Sequence, residues 1–266
     1  MTMLKLFTIL TLLCASICSK AQMSFVPADS VMLWTQDITN FRNTALSVSP
    51  TLKEHISTMV LANNRSALET AWNKRQALSS ESPNLGFEAA NQLYTAAQLL
   101  RHTHDAEYAR AIQNLAYFPL LQSIESSTSA PERYAAAQAL MNAVSMLYAT
   151  EGSNLYINFY ANSSAFIHTD SLSFQLDAIT AMPYDERVKF RFSRIRPQKG
   201  ARFKVHLQLP EGNWDAKNLP IYCNGHEVSY KVERGYAVIE NVWQSGYEIF
   251  FDLPAPLYSE AEATNL

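Results

Sequence analysis

Apolar residues along this chain change their spacing once, near residue 151, from the period of a helix to the period of a strand. Ahead of that point Ile56, Met59, Val60, Leu68, Ala71 and Trp72 keep a broadly helical spacing behind Ser49 and Pro50, an N-cap and first-turn pair. A helix near residues 31 to 46 precedes this one, and another spans roughly Gly86 to His102. Asp105 caps a fourth, with Tyr108, Ile112 and Leu115 on one face until Pro119 disturbs it. The fifth opens on a capping box of Ser129 and Glu132 around Pro131, and Tyr134, Ala137, Met141 and Val144 carry its face toward Tyr148.

Beyond the boundary, side chains alternate. Leu155, Ile157 and Phe159 alternate with Tyr156, Asn158 and Tyr160; Val188, Phe190 and Phe192 alternate with Lys189, Arg191 and Ser193. Phe203, Val205, Leu207 and Leu209 alternate with Lys204, His206 and Gln208, which predicts one buried and one wet face. Further strands are expected near Leu172 to Leu176, Ile221 to Cys223 and Glu227 to Tyr230. About eight short strands suffice for an antiparallel sandwich. Asn224-Gly225 is the strongest hairpin signal. The stretch from Gly235 to Asp252 reads as a second hairpin, turning at Ser245 and Gly246, with Trp243 in the sandwich core. Six of the seven glycines lie at or after Gly152, which places turn chemistry in the second architecture.

The expected fold class is therefore α+β, an N-terminal helical domain followed by a C-terminal antiparallel β-sandwich. At 266 residues and 48% hydrophobic, the chain has ample material for a core. Its first residues combine Lys5, an apolar run from Leu6 to Leu13, and Ser19 and Ala21 at positions a signal peptidase reads, so residues 1–21 are expected to be removed. The predicted division is a signal peptide at 1–21, a helical domain at 22–150, a sandwich at 151–256 and a tail at 257–266. The apolar run is shorter than the roughly 20 residues of a membrane span, and the mature protein is expected in the periplasm or outside the cell. Cleavage would remove Cys14 and Cys18, leave Cys223 without a disulfide partner, and take the formal charge from −3 to −5 with the loss of Lys5 and Lys20. With no basic cluster, nucleic acid is not an expected partner.

The order of cues in the second half resembles a known family. Tyr148-Ala149-Thr150 running into Leu155-Tyr156-Ile157-Asn158-Phe159-Tyr160 is one; Pro183-Tyr184-Asp185 ahead of the Val188 strand is another. Leu209-Pro210 with Trp214, then Asn224-Gly225, then Gly235-Tyr236 and Trp243 with Gly246 complete the series. Together they resemble glycoside hydrolase family 127, the β-L-arabinofuranosidases, where the helical barrel hands over to its sandwich. Asp105-Ala106-Glu107-Tyr108-Ala109 and Asn114 look like a late helix pair of that barrel, extending the resemblance back to about Gly86; residues 22 to 85 match nothing recognisable.

The resemblance implies a partial (α/α)6, six-hairpin-like helical domain. It also implies arabinofuranoside cleavage by a cysteine nucleophile, a glutamate acid/base and a zinc held by cysteines and a glutamate, the metal keeping the cysteine as thiolate. This sequence departs from that pattern. The window from Ser123 to Tyr134, SIESSTSAPERY, where the family's cysteine pair should fall, contains no cysteine, and Phe87 stands in place of a thiol between Leu85 and Glu88. Five helices are also far fewer than the dozen of a closed barrel.

Catalytic, cofactor and metal residues are accordingly assigned to none. Glu88, Glu125 and Glu132 are the carboxylates nearest the family's lost site, and a glycosidase needs two across a sugar; capping explains Glu132, and solvated helix surface explains the others. His102-Thr103-His104-Asp105 invites a metal reading, against an interhelix turn in which Asp105 caps the next helix. Trp214, beside Asn213 and Asp215, reads as a loop anchor ahead of a sugar-stacking face. The expected partner is a plant or bacterial glycan bound without turnover. The alternatives are a carboxylate-based glycosidase and an assembly module whose open helical face packs on another protein.

Overall fold

Aromatic residues from two sheets meet in one core, and a layer of helices covers the outer face of one of them. The computed structural model describes residues 23–26, 31–33, 65–73, 78, 84–180, 186–210 and 219–253. In chain order these give β1 (Ser24–Phe25), β2 (Val31–Leu33), α1 (Arg65–Asn73), α2 (Leu85–Thr103), α3 (Ala106–Leu115), a π-helical turn (Ala116–Leu120), α4 (Leu121–Ser126) and α5 (Ala130–Ser145). Eleven strands follow: β3 (Tyr148–Glu151), β4 (Asn154–Ile157), β5 (Ser163–His168), β6 (Ser173–Thr180), β7 (Arg187–Arg196), β8 (Ala201–Gln208), β9 (Tyr222–Cys223), β10 (His226–Glu227), β11 (Lys231–Glu233), β12 (Tyr236–Trp243) and β13 (Glu248–Asp252).

The first sheet runs β1-β3-β4-β8-β12-β11 and the second β10-β9-β13-β7-β6-β5-β2. Pairing is antiparallel except where β4 lies parallel to β8, Leu155 opposite Val205. The α+β class with a C-terminal sandwich thus stands. Its inner faces carry Phe174, Phe190, Phe192, Phe203, Val205 and Phe251, all buried. Trp243 is fully buried, stacks on Phe192 with centroids 4.8 Å apart, and donates its indole N–H to Phe203 O at 2.9 Å.

Several local expectations are corrected. β12 and β13 do not form a hairpin: β12 pairs with β8 and β11, β13 with β7 and β9, so the Ser245-Gly246 turn carries the chain across the core from one sheet to the other. Two-residue hairpin turns in this half include β9–β10, turning at Asn224-Gly225 as predicted, and β11–β12, turning at Arg234-Gly235. Both turn pairs have positive φ, 51° and 81° in the first and 50° and 77° in the second, the geometry that matches strand twist. The helix expected to reach Tyr148 stops at Ser145, and Tyr148 opens β3. Of the segment near 31 to 46, Val31–Leu33 is a strand on β5, and the rest lies outside the described residues. With β1 on β3, the residues ahead of the helices thus add a strand to one edge of each sheet.

The predicted wet face of β8 is also corrected. His206 and Gln208 are 6% and 3% exposed: the Tyr156 ring stacks on His206 at 4.1 Å, and α3 packs against β8 on the same side. In the helical layer α2 packs against α1, α3 and α5. Buried Ala89, Ala90, Ala96 and Ala97 on α2 and Ala136, Ala139 and Ala143 on α5 keep the layer thin. Asp105 caps α3 as expected, accepting from Glu107 N–H at 2.9 Å, and Pro119 falls inside the π-helical turn that ends α3.

Replacing Trp243 by alanine removes both the stack and the indole hydrogen bond from a site with no exposure. A loss of about 3 to 5 kcal/mol is expected, read as a lower denaturant midpoint by the near-ultraviolet signal; an unchanged midpoint would contradict the core assignment.

Candidate functional site

The three carboxylates nearest the expected catalytic position do not form a pair. Glu88 and Glu125 are exposed on α2 and α4. Glu132 is 3% exposed and held from two sides: Oε1 accepts the Gly86 backbone N–H at 2.7 Å and Oε2 the Ser127 hydroxyl at 2.6 Å. Only half of the predicted capping box is made. Ser129 Oγ accepts from Glu132 N–H at 3.5 Å, but Ser129 N–H turns to Ser127 Oγ, and the Glu132 carboxylate serves the N-terminus of α2 instead. A negative charge is favourable there because the first N–H groups of a helix have no internal partner. The fit needs Gly86: a Cβ at that position would lie 2.8 Å from Glu132 Cγ.

The stretch His102-Thr103-His104-Asp105 forms the α2–α3 corner. His104 ends α2 in the left-handed region, φ 56°, with its N–H on Leu100 O. The β11–β12 turn docks on this corner: Arg234 Nη1 donates to Thr103 O at 2.8 Å, Ala106 N–H to Arg234 O at 2.9 Å, and a Cβ on Gly235 would meet Ala106 Cβ at 2.8 Å. The His104 Nε2 accepts the Met23 backbone N–H at 3.2 Å, and its Nδ1 lies 3.4 Å from Glu151 Oε2. An imidazole accepting at Nε2 is neutral, with its proton on Nδ1 facing the carboxylate. Burial drives its pKa below the ordinary value, against the pull of Glu151. His102 and Asp105 do not join it around a common point; among the described residues no three His, Cys, Asp or Glu side chains are arranged to hold a metal.

Beside this corner the helical cover of the first sheet ends and leaves a polar cleft of about 310 Å³, lined by His104, Glu151, Asn154, Tyr156, Lys204, His206, Glu233, Arg234 and Tyr236. Strand register builds it: Tyr156 lies opposite His206 across the parallel β4–β8 pair, and their rings stack at 4.1 Å. Tyr236 stands edge-on to Tyr156 at 5.6 Å. Tyr156 donates to Glu151 Oε2 at 2.8 Å, and burial and then that carboxylate raise its pKa, so the phenol stays protonated. His206 is buried with Nε2 unbonded among the described residues. Burial, then Lys204 and His104, push its pKa down to about 4. Of these residues the sequence singled out only His104. The others are polar positions on strands or, for Arg234, in a turn, and the β4–β8 pairing and the docking of the β11–β12 turn make them one site.

A second hollow, about 280 Å³ and apolar, lies on the helical face between Leu78, Leu85, Leu115, Phe118 and Pro119, where Phe118 is 62% exposed. Trp214 and Pro183-Tyr184-Asp185 lie outside the described residues. Cys223, the free cysteine of the described residues, is buried in β9 of the sandwich.

Two measurements probe these assignments. Glu132→Ala should cost about 1 to 3 kcal/mol by stranding the Gly86 N–H, with Glu132→Gln milder because its amide oxygen can still accept; equal midpoints for wild type and Glu132→Ala would refute the capping role. For His206, the unfolded state with pKa near 6.5 binds more protons than the folded one down to about pH 4. Stability is therefore full above pH 6.5 and falls as pH drops toward 4, by up to about 3 kcal/mol. His206→Phe should flatten that part of the pH–stability curve, and a curve of unchanged slope would contradict the buried neutral imidazole.

Comparison with known proteins places the sandwich. Residues 154–255 match the family model for the middle domain of β-L-arabinofuranosidase, GH127. Among solved structures a glycoside hydrolase aligns with a TM-score of 0.57 at 18% identity, over 68% of this chain and 34% of its own. A GH127 β-arabinofuranosidase aligns at 0.54 and 17% over 67% and 34%, and a GH127 β-L-arabinofuranosidase from Geobacillus stearothermophilus T6 at 0.51 and 17% over 64% and 32%. The chain thus spans about a third of the length of these structures. No curated protein matches it. The resemblance drawn from the residues holds: over residues 154–255 this chain is similar in sequence to the middle domain of the GH127 β-L-arabinofuranosidases, and in fold it is similar to their solved structures.

Proposed function

We propose that this protein is an exported, non-catalytic relative of the β-L-arabinofuranosidases that holds a glycan without cleaving it. The observation that carries the reading is the contrast between the two polar centres. Glu132 has both carboxylate oxygens engaged in holding α2, while the cleft at the α2–α3 corner keeps an unbonded imidazole nitrogen beside charged groups. The first arrangement suits stability and the second suits a ligand. The absence of cysteine between Ser123 and Tyr134 and the presence of Phe87 support the non-catalytic half of the proposal. Export rests on the leader-like residues 1–21.

The test is an array of plant and bacterial glycans probed with the full chain and read both for bound protein and for released sugar. Binding without release is the expected result. Release of arabinose, abolished by Glu88→Gln or Glu125→Gln, would establish instead a carboxylate-based glycosidase.

The exposed Phe118 beside the apolar hollow on the helical face favours a second reading, an assembly module that packs this face on a protein. Light scattering separates the two: a monomer at all concentrations argues against self-assembly through that face.

A further inference from the structure

We propose that the cleft at the α2–α3 corner takes a single neutral sugar residue, its hydroxyls bonding His206 Nε2, Asn154 and Glu151 between the flanking cations Lys204 and Arg234. This rests on the glycan-binding reading and adds the site and the ligand class. The volume, about 310 Å³, lies at the low end of the roughly 300 to 1,000 Å³ of small-molecule sites, which suits one ring rather than a chain.

The groups lining the cleft match a hydroxyl better than an ion. Lys204 and Arg234 offset Glu151 and Glu233, so a net charge on the ligand gains nothing overall. Each sugar hydroxyl can donate and accept, and the cleft offers both kinds of partner: Asn154, Lys204 and Arg234 donate, Glu151 and Glu233 accept. The Tyr156 hydroxyl and His104 Nδ1 both engage Glu151 Oε2, which leaves Oε1 for a ligand.

His206 supplies the independent observation. It is 6% exposed, lines the cleft, and has an Nε2 that no described group bonds. A buried polar atom is ordinarily bonded, and a ligand hydroxyl reaching it would complete the set. The Tyr156 stack holds the ring in place, so little order has to be gained on binding.

The experiment titrates the full chain, purified after export, with free arabinose, glucose, glucuronate and glucosamine, following chemical shifts of tyrosine and histidine side chains. Arabinose or glucose should saturate, with glucuronate and glucosamine about tenfold weaker. His206→Phe keeps a ring against Tyr156 without a nitrogen, and with Asn154→Ala should weaken neutral-sugar binding about tenfold each. If His206→Phe fails to fold, the half-buried Asn154→Ala decides alone. Tighter binding of a charged sugar, or variants that bind as wild type does, overturns the assignment. Variants that bind array glycans like wild type would sink this site while the glycan reading survives; wild type that binds no glycan sinks both.

Discussion

Asn158 ties the two architectures together. It is fully buried, and its backbone N–H and both side-chain polar atoms are bonded: the N–H to Leu147 O at 2.9 Å, Nδ2 to Met146 O at 2.8 Å, and Oδ1 accepting the Tyr236 hydroxyl at 2.8 Å. The first two fix the path from the end of α5 into β3 and β4, and the third fixes β12 against them. A buried amide left half-bonded is costly, so helix exit, strand entry and the β12 register are set together. The cleft inherits this. Tyr236 is edge-on to Tyr156, and Tyr156 is stacked on His206, so the ring positions follow from one amide beneath them.

The second constraint is the docking of the β11–β12 turn on the α2–α3 corner. Arginine is an unusual residue at φ 50°, since a side chain in the left-handed region carries a steric penalty. Here Arg234 gives a bond from its guanidinium to Thr103 O and another from Ala106 N–H to its carbonyl. Gly235 allows the close approach. The turn and the corner thereby become one wall of the cleft, and Met23, ahead of β1, closes the other side of His104.

Much of the fold is legible in the residues. Period 3.6 finds α2, α3 and α5, period 2 finds β4, β7 and β8, and Asn224-Gly225 marks its hairpin because those two residues tolerate positive φ at little cost. Errors arise where alternation means something else. Tyr236 to Ile239 are buried on both sides because β12 lies between helices and the second sheet, so alternation there separates two buried faces rather than core from water. β5 escapes notice because its Ser163 and Ser164 look like loop residues; inside the fold Ser163 bonds the Tyr148 hydroxyl and Ser164 bonds Asp177.

The sequence by itself determined the α+β class, the caps at Asp105 and Ser129, the burial of Trp243 and the kinship of the sandwich, because each depends on local periodicity, local backbone preference or an ordered series of residues. Tertiary structure alone decided that Glu132 holds a different helix from the one it begins, that Gly235 to Asp252 spans two sheets, and that Tyr156, His206 and His104 meet. Those outcomes depend on which strand lies beside which and where a helix layer ends. The residues involved are between 46 and 81 positions apart in several of the deciding contacts, and no local pattern carries information over that distance.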